Sequence, residues 1–432
     1  MANVYRMMDD AELQATKDAL DHEAEVLASK LLRLDMARGK PNKDQINLSR
    51  PMLDILASDS DLTDDGVDAS NYGVSDGLPT ARKLGADLLG VPYEQVIVEN
   101  SASLEIMYNI ISAIWSHGIS GEKPWSEQGQ LKFLCPVPGY DRHFAITEHF
   151  GFENVPVAMN DDGPDMDEVC RMVETDASVK GIWCVPKYAN PTGITYSDEV
   201  VRRFAALKPA APDFRIFWDN AYIVHHLYDE GDELTNIFDV IDSNGDDTER
   251  DGLVFEFAST SKLTFPGSGI SWLASSMVDR AWYERSLALR RVCPNKMVQL
   301  AHVRFLPDVD AVSQHMKKHA ELLRPRFELV EKRLSEALGE LGIATWTHPR
   351  GGYFVSFEGP EGSAQAIVRA AAELGVTLTG AGATWPSGND PHDSNIRIAP
   401  TYPSLDELDA ALEVFVLCVK MVALRLELER RG

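Results

Sequence analysis

The chain has 432 residues, 44% apolar and 25% charged, which suits a soluble globular protein long enough for two domains and a large core. Its 41 basic residues are outnumbered by 67 acidic ones, giving a formal charge of −26. Such a field repels phosphodiester backbones and anionic membranes, so neither nucleic acid nor a membrane surface is an expected partner. Five scattered cysteines (Cys135, Cys170, Cys184, Cys293, Cys418) show no paired metal spacing and read as reduced core thiols, with no metal expected. The polar start from Met1 to Asp10 is not a secretory signal, and no apolar run reaches spanning length. The expected location is the cytoplasm.

Leu13, Leu20, Leu27, Leu31 and Leu34 recur at helical spacing behind Asp9-Asp10, predicting an amphipathic helix with acids at its dipole-positive end. Ala37-Arg38-Gly39-Lys40-Pro41 then opens a predicted loop running to about Arg50. From about Asn71 to Met277 short apolar runs alternate with helical stretches. The predicted strands are Val96–Val98, Phe133–Cys135, Gly181–Val185, Ile216–Trp218 and Val254–Phe257. Runs of this kind suit a largely parallel sheet covered on both faces. The stretch from Asp242 to Asp251 reads as an acidic surface loop. Beyond Asp310 a long helix, about Ala311 to Gly339, precedes strands at Tyr353–Phe357 and Ile396–Ile398 and a closing helix from Leu405 to Glu429. The expected organisation is an N-terminal helix and loop over 1–50, a large domain over 51–310 and a smaller α+β domain over 311–432, to which the N-terminal segment also belongs.

The chemistry concentrates just after the predicted strands, where open α/β sheets bind their ligands. Lys262 follows Ser259-Thr260-Ser261, Asp219 ends Ile216-Phe217-Trp218 and is followed by Ala221-Tyr222, and Asn190 opens Asn-Pro-Thr-Gly. Taken singly these read as a surface amine, a helix cap and a common turn. Together they supply what a pyridoxal phosphate site needs: an amine for the aldehyde, a carboxylate for the pyridine nitrogen, and an amide and a phenol for the ring oxygen. Desolvation at a strand end lowers a lysine's pKa, which favours a nucleophilic amine. Ser101-Ala102-Ser103 follows one strand and opens an apolar helix, a natural place for phosphate and equally for an ordinary cap.

In this order the residues resemble class I aminotransferases of the aspartate aminotransferase superfamily, fold type I of the pyridoxal phosphate enzymes, over roughly Arg38 to Pro403. That resemblance implies an α/β fold with a mostly parallel seven-stranded sheet flanked by helices, beside a smaller α+β domain. It implies Lys262 as the Schiff-base lysine, Asp219 as the partner of the pyridine nitrogen, and Asn190 and Tyr222 on the ring oxygen. Tyr140 matches the stacking aromatic and His143 the histidine supporting Asp219. Ser259 matches a serine that binds the phosphate, Ser101, Ala102 and Ser103 are expected to add helix-terminal donors to it, and Ser268 is a further candidate. Tyr72 matches a tyrosine reaching the phosphate of the neighbouring subunit, which implies a homodimer with a composite site. Arg397 matches the arginine that grips the substrate α-carboxylate, Gly39 lies in the loop that covers substrate, and Arg38 or Lys40 is a candidate for a second carboxylate. One departure stands out: Gly269 and Ile270 occupy the positions where related enzymes carry a phosphate-binding arginine.

The implied activity is transamination between amino acids and 2-oxo acids by a ping-pong mechanism. The Ala-Arg-Gly-Lys-Pro loop and the missing arginine resemble a bacterial aspartate aminotransferase branch, often described as related to MocR regulators or alanine–glyoxylate enzymes. L-Aspartate with 2-oxoglutarate is therefore the expected pair. An aromatic amino acid, α-aminoadipate or alanine as donor, or a β-lyase reaction, stays open. A non-catalytic regulatory module is disfavoured by the short N-terminal helix and the acidic charge.

Overall fold

A computed structural model describes residues 3–243 and 252–432. Most of the acidic loop expected at Asp242 to Asp251 lies outside the described residues. The central sheet has eight strands rather than seven. Their order is Val96–Glu99, Ser271–Ser275, Val254–Ser259, Arg215–Asp219, Val179–Cys184, Lys132–Val137, Glu153–Asn160 and Gly163–Pro164. The run from Val254–Ser259 to Glu153–Asn160 is parallel throughout, Ser271–Ser275 is antiparallel to both its neighbours, and the extra two-residue strand caps one edge.

All five predicted strands are present and buried along most of their length, as continuous apolar runs between covering helices must be. One face of the sheet carries an aromatic core in which Phe217 and Phe257 stack at 5.8 Å and Phe133 lies 5.0 Å from Trp183. Truncating one such buried ring to alanine costs about 3–5 kcal/mol, so this layer holds the strand ends rigidly.

A second core forms where the N-terminal helix Asp10–Ser29, the C-terminal part of the helix Val309–Leu338 and the closing helix Leu405–Arg431 pack on a three-stranded antiparallel sheet. That sheet is ordered Thr345–Trp346, Val355–Glu358, Asn395–Ile398. Its helices are capped as their sequences dictate, with Asp9 and Glu12 forming a reciprocal capping box and Ser404 with Glu407 another.

Two expectations need correction. The N-terminal helix ends at Ser29, and Leu31 is 84% exposed with a positive φ of 50°. Leu34 instead pairs in parallel with Val376, so periodicity carried the predicted helix one turn too far. The segment to Arg50 is also not all loop: Lys43–Leu48 is helical, started by an Asn42/Gln45 capping box. Asn-x-x-Gln is the sequence signal that announces it.

Candidate active site

The parallel strands end on one edge of the sheet, and the motif residues leave from those ends. Lys132–Val137 runs into Tyr140, Val179–Cys184 leads toward Asn190, Arg215–Asp219 terminates in Asp219, and Val254–Ser259 turns into Lys262. Ser271–Ser275 runs the opposite way, pairing Ser271 with both Ser259 and Glu99. Its start therefore brings the 265–270 loop to the same edge as Ser259 and Ser101.

Lys262 is half-buried in the turn after Ser259. Its Nζ lies 4.8 Å from the centroid of Tyr222 and 5.7 Å from that of Tyr353. Burial holds its pKa below the ordinary lysine value, with the Asp219 carboxylate opposing the shift. Asp219 is buried; its Oδ2 meets Nε2 of His143 at 3.0 Å. The other oxygen, Oδ1, is buried with no partner among the described residues. His143 is itself fixed by stacking on Trp183 at 4.5 Å and 11°, with Tyr140 edge-on at 4.9 Å.

A buried carboxylate oxygen without a donor costs free energy comparable to a lost charged hydrogen bond. Its presence near the Lys262 amine marks a place for a cationic or N–H group. Tyr222 is fully enclosed, and burial, Tyr140 and Asp219 together push its phenol well up. Burial and Asp219 raise Tyr140 to about 12.

Arg397 enters from the three-stranded sheet, paired opposite Ser356. Its Nη1 lies 3.4 Å from Asn190 Oδ1 and 3.2 Å from Asp141 Oδ1, and its Nε is buried without a partner among the described residues. The guanidinium carbon sits 4.8 Å from the centroid of Phe354, within cation–π range.

At the other end of the cleft, Ser101 Oγ donates to Pro266 O at 3.0 Å and Ser259 Oγ to Ser261 Oγ at 3.1 Å. The helix Ser103–His117 begins at Ala102 with no side-chain cap, leaving its first N–H groups for an anion. Ser268 is exposed in the same loop. Ile270 points into the core at 1% exposure, and a Cβ on Gly269 would meet Thr260 Oγ1 at 2.9 Å. No longer side chain fits there without displacement, which accounts sterically for the absent arginine.

The N-terminal loop reaches this cleft through Gly39. A Cβ there would lie 2.1 Å from Phe354 Cζ. Gly39→Ala is expected to push Phe354 off Arg397 and raise KM about tenfold, with smaller change in kcat; steady-state kinetics check this, and an unchanged KM contradicts it. Arg38 is largely exposed and 4.0 Å from Asp35, and Lys40 Nζ stands 3.9 Å over the ring of Tyr402; neither contacts Arg397 or Lys262. Tyr72 is 79% exposed, away from these residues' contacts.

Sequence reasoning missed Asp141, Phe354 and a buried histidine set. Neither ring nitrogen of His225 has a partner among the described residues, and Tyr222 packs edge-on against it at 5.5 Å. His315 Nε2 lies 2.8 Å from Leu263 O and 3.2 Å from His319 Nε2. Gln45 then links His319 to the Tyr353 hydroxyl. The His315–His319 spacing of four residues on one helix face was a readable signal.

This sheet with its strand-end cleft is the fold type I arrangement of pyridoxal phosphate-dependent transferases. A family profile described as aspartate amino-transferase matches residues 8–431, and the chain belongs to that family; it is an aminotransferase. It is 42% identical over 430 residues to an aspartate aminotransferase of Corynebacterium glutamicum, covering 97% of this chain and 98% of that protein. The crystal structure of an aspartate transaminase from the same species superposes with a TM-score of 0.95 at 41% identity, covering 99% of both chains. The Thermus thermophilus LysN α-aminoadipate aminotransferase, at 17% identity, shares the fold alone, with a TM-score of 0.72 over 90% of this chain and 92% of that one. The family implies pyridoxal phosphate as cofactor. Among the described residues no helix is long and apolar enough to cross a membrane.

Proposed function

We propose that this aminotransferase holds pyridoxal phosphate in the strand-end cleft and moves the amino group of L-aspartate to 2-oxoglutarate in two half-reactions. The observation that carries the reading is the buried Asp219 Oδ1, without a partner among the described residues and set in one site with Lys262, Tyr222 and an Arg397 whose Nε likewise has no partner among them. When bound, the cofactor supplies an electron sink for the substrate Cα and an aldehyde carbon to carry nitrogen.

The chain's residues do the rest. Lys262 is the amine that would hold that aldehyde carbon, and its Nζ is placed to move a proton to and from the substrate Cα. Its depressed pKa leaves a larger neutral fraction for this work. Asp219, backed by His143, would hold a protonated ring nitrogen, Tyr222 and Asn190 would hydrogen-bond the ring oxygen, and Tyr140 would cover the ring. Ser101, Ala102, Ser103, Ser259 and Ser268 receive the phosphate with helix-terminal N–H groups in place of an arginine. Arg397 takes the α-carboxylate. Gly39 lets the N-terminal loop close over substrate and exclude water, and Arg38 or Lys40 on that loop meets the distal carboxylate.

The same reading divides the chain into a large domain over 51–310 and a small one over 311–432 with 1–50. It makes the protein a cytoplasmic homodimer in which exposed Tyr72 reaches the neighbouring site. Aspartate is favoured because the relative at 42% identity over nearly the whole chain is named for it. The test is a half-reaction screen: yellow holoenzyme is mixed with single amino acids and the colour followed. Aspartate should bleach it fastest. If aspartate and glutamate leave it unchanged while an aromatic amino acid, aminoadipate or alanine bleaches it, the substrate is wrong; pyruvate released from cysteine conjugates would indicate a lyase.

A further inference from the structure

Asp141 opens the helix Asp141–His149 directly after Tyr140, and the reaction outlined above makes no use of it. Its carboxylate is 38% exposed, free enough to turn to water, yet it lies 3.2 Å from Nη1 of Arg397. Asn190 Oδ1 approaches the same nitrogen at 3.4 Å, and the Phe354 ring lies within 4.8 Å of the guanidinium carbon.

A guanidinium offers two edges on which a carboxylate can be bound by two parallel N–H groups, Nη1–Nη2 and Nε–Nη2. Two protein oxygens already occupy Nη1. The edge left over contains Nε, which is buried and unpartnered among the described residues. An arginine also loses considerable rotamer freedom when it is fixed. A side chain held at Nη1 and packed by Phe354 has met that cost before a ligand arrives.

We propose that Asp141 is a positioning residue that fixes Arg397 by its Nη1 edge and presents the Nε–Nη2 fork to the carboxylate of both donor and acceptor. The inference rests on the reading of Arg397 as the carboxylate-binding group and adds what orients it. The bland role of Asp141 is an acid on the positive end of a helix dipole. That role predicts a small stability contribution and no dependence of substrate affinity on an oxygen at this position. The negative charge of Asp141 also stands near an anionic substrate, so it weakens the attraction while its oxygen supplies the orientation. The two effects separate by substitution: Asp141→Asn keeps an oxygen acceptor and drops the charge, whereas Asp141→Ala removes both.

The experiment measures kcat, KM for L-aspartate and for 2-oxoglutarate, and thermal midpoint on holoenzyme carrying Asp141→Ala, Asp141→Asn or Arg397→Ala. Asp141→Ala should raise both KM values about tenfold with kcat within about twofold, and Asp141→Asn should return both to the wild-type value or below. An Asn variant as weak as the Ala variant, or an Ala variant with unchanged KM, overturns the inference. If the Ala variant does not fold, the Asn variant still decides, because a tenfold rise in its KM contradicts the proposed role. Arg397→Ala separates the two levels. A roughly hundredfold KM increase beside a silent Asp141→Ala defeats the positioning role alone, whereas normal KM for Arg397→Ala removes the reading beneath it.

Discussion

Lys262→Ala is expected to fold and yet to lose transamination by on the order of 10^5-fold. The folding half follows from its surroundings. Lys262 sits in a turn after a buried strand, makes no ion pair within salt-bridge distance among the described residues, and is held chiefly by the rings of Tyr222 and Tyr353. Its burial opposes its own charge, so removing it relieves desolvation as well as losing contact. The activity half follows because the aldehyde needs a nucleophilic amine, and Arg397, engaged by Asp141 and Asn190, offers a guanidinium in its place. Steady-state assay with circular dichroism checks both halves. Activity within a hundredfold of wild type in a folded variant would contradict the assignment.

The second large effect is expected at Asp219. Asp219→Asn keeps the shape at the strand end and an oxygen for His143 Nε2, now 3.0 Å from the carboxylate, but removes the negative charge. A preorganised charge aimed at a developing one in a buried site is worth more than a single neutral hydrogen bond, so kcat should fall about 10^3-fold. The same change removes the interaction that raises the Lys262 pKa against burial, so the amine should titrate still lower than in the wild type. A titration of the free Lys262 amine in the apoenzyme, followed by nuclear magnetic resonance, reads this beside the kinetics of the holoenzyme. A Lys262 titration that moves upward would show that Asp219 does not act on it through charge.

How much of this was legible in sequence depends on distance along the chain. Lys262, Asp219, Asn190 and Tyr140 each leave a strand end, and an apolar run followed by a turn announces that place locally. His143 was legible only through the resemblance, which has a histidine three residues after the stacking aromatic; its 3.0 Å contact with Asp219 is seen in the fold. The strand Glu153–Asn160 was not, since it is only partly buried and carries Pro156; nor was Ser271–Ser275, a short run bounded by serines. Pairings such as Arg397 with Asp141, Gly39 with Phe354, and Gln45 with Tyr353 join residues hundreds of positions apart. No periodicity encodes them, and only the fold brings their members together. The departure at Gly269 was visible as letters, but its steric reason, the approach to Thr260, required the fold.

The most direct measurement is reduction of the reconstituted holoenzyme with borohydride, followed by proteolysis and mass mapping of the modified peptide. The cofactor mass is expected on Lys262, within the peptide that contains Ser259-Thr260-Ser261, at close to one per chain. Modification of a different lysine, or none in fully loaded protein, would contradict the assignment of this cleft.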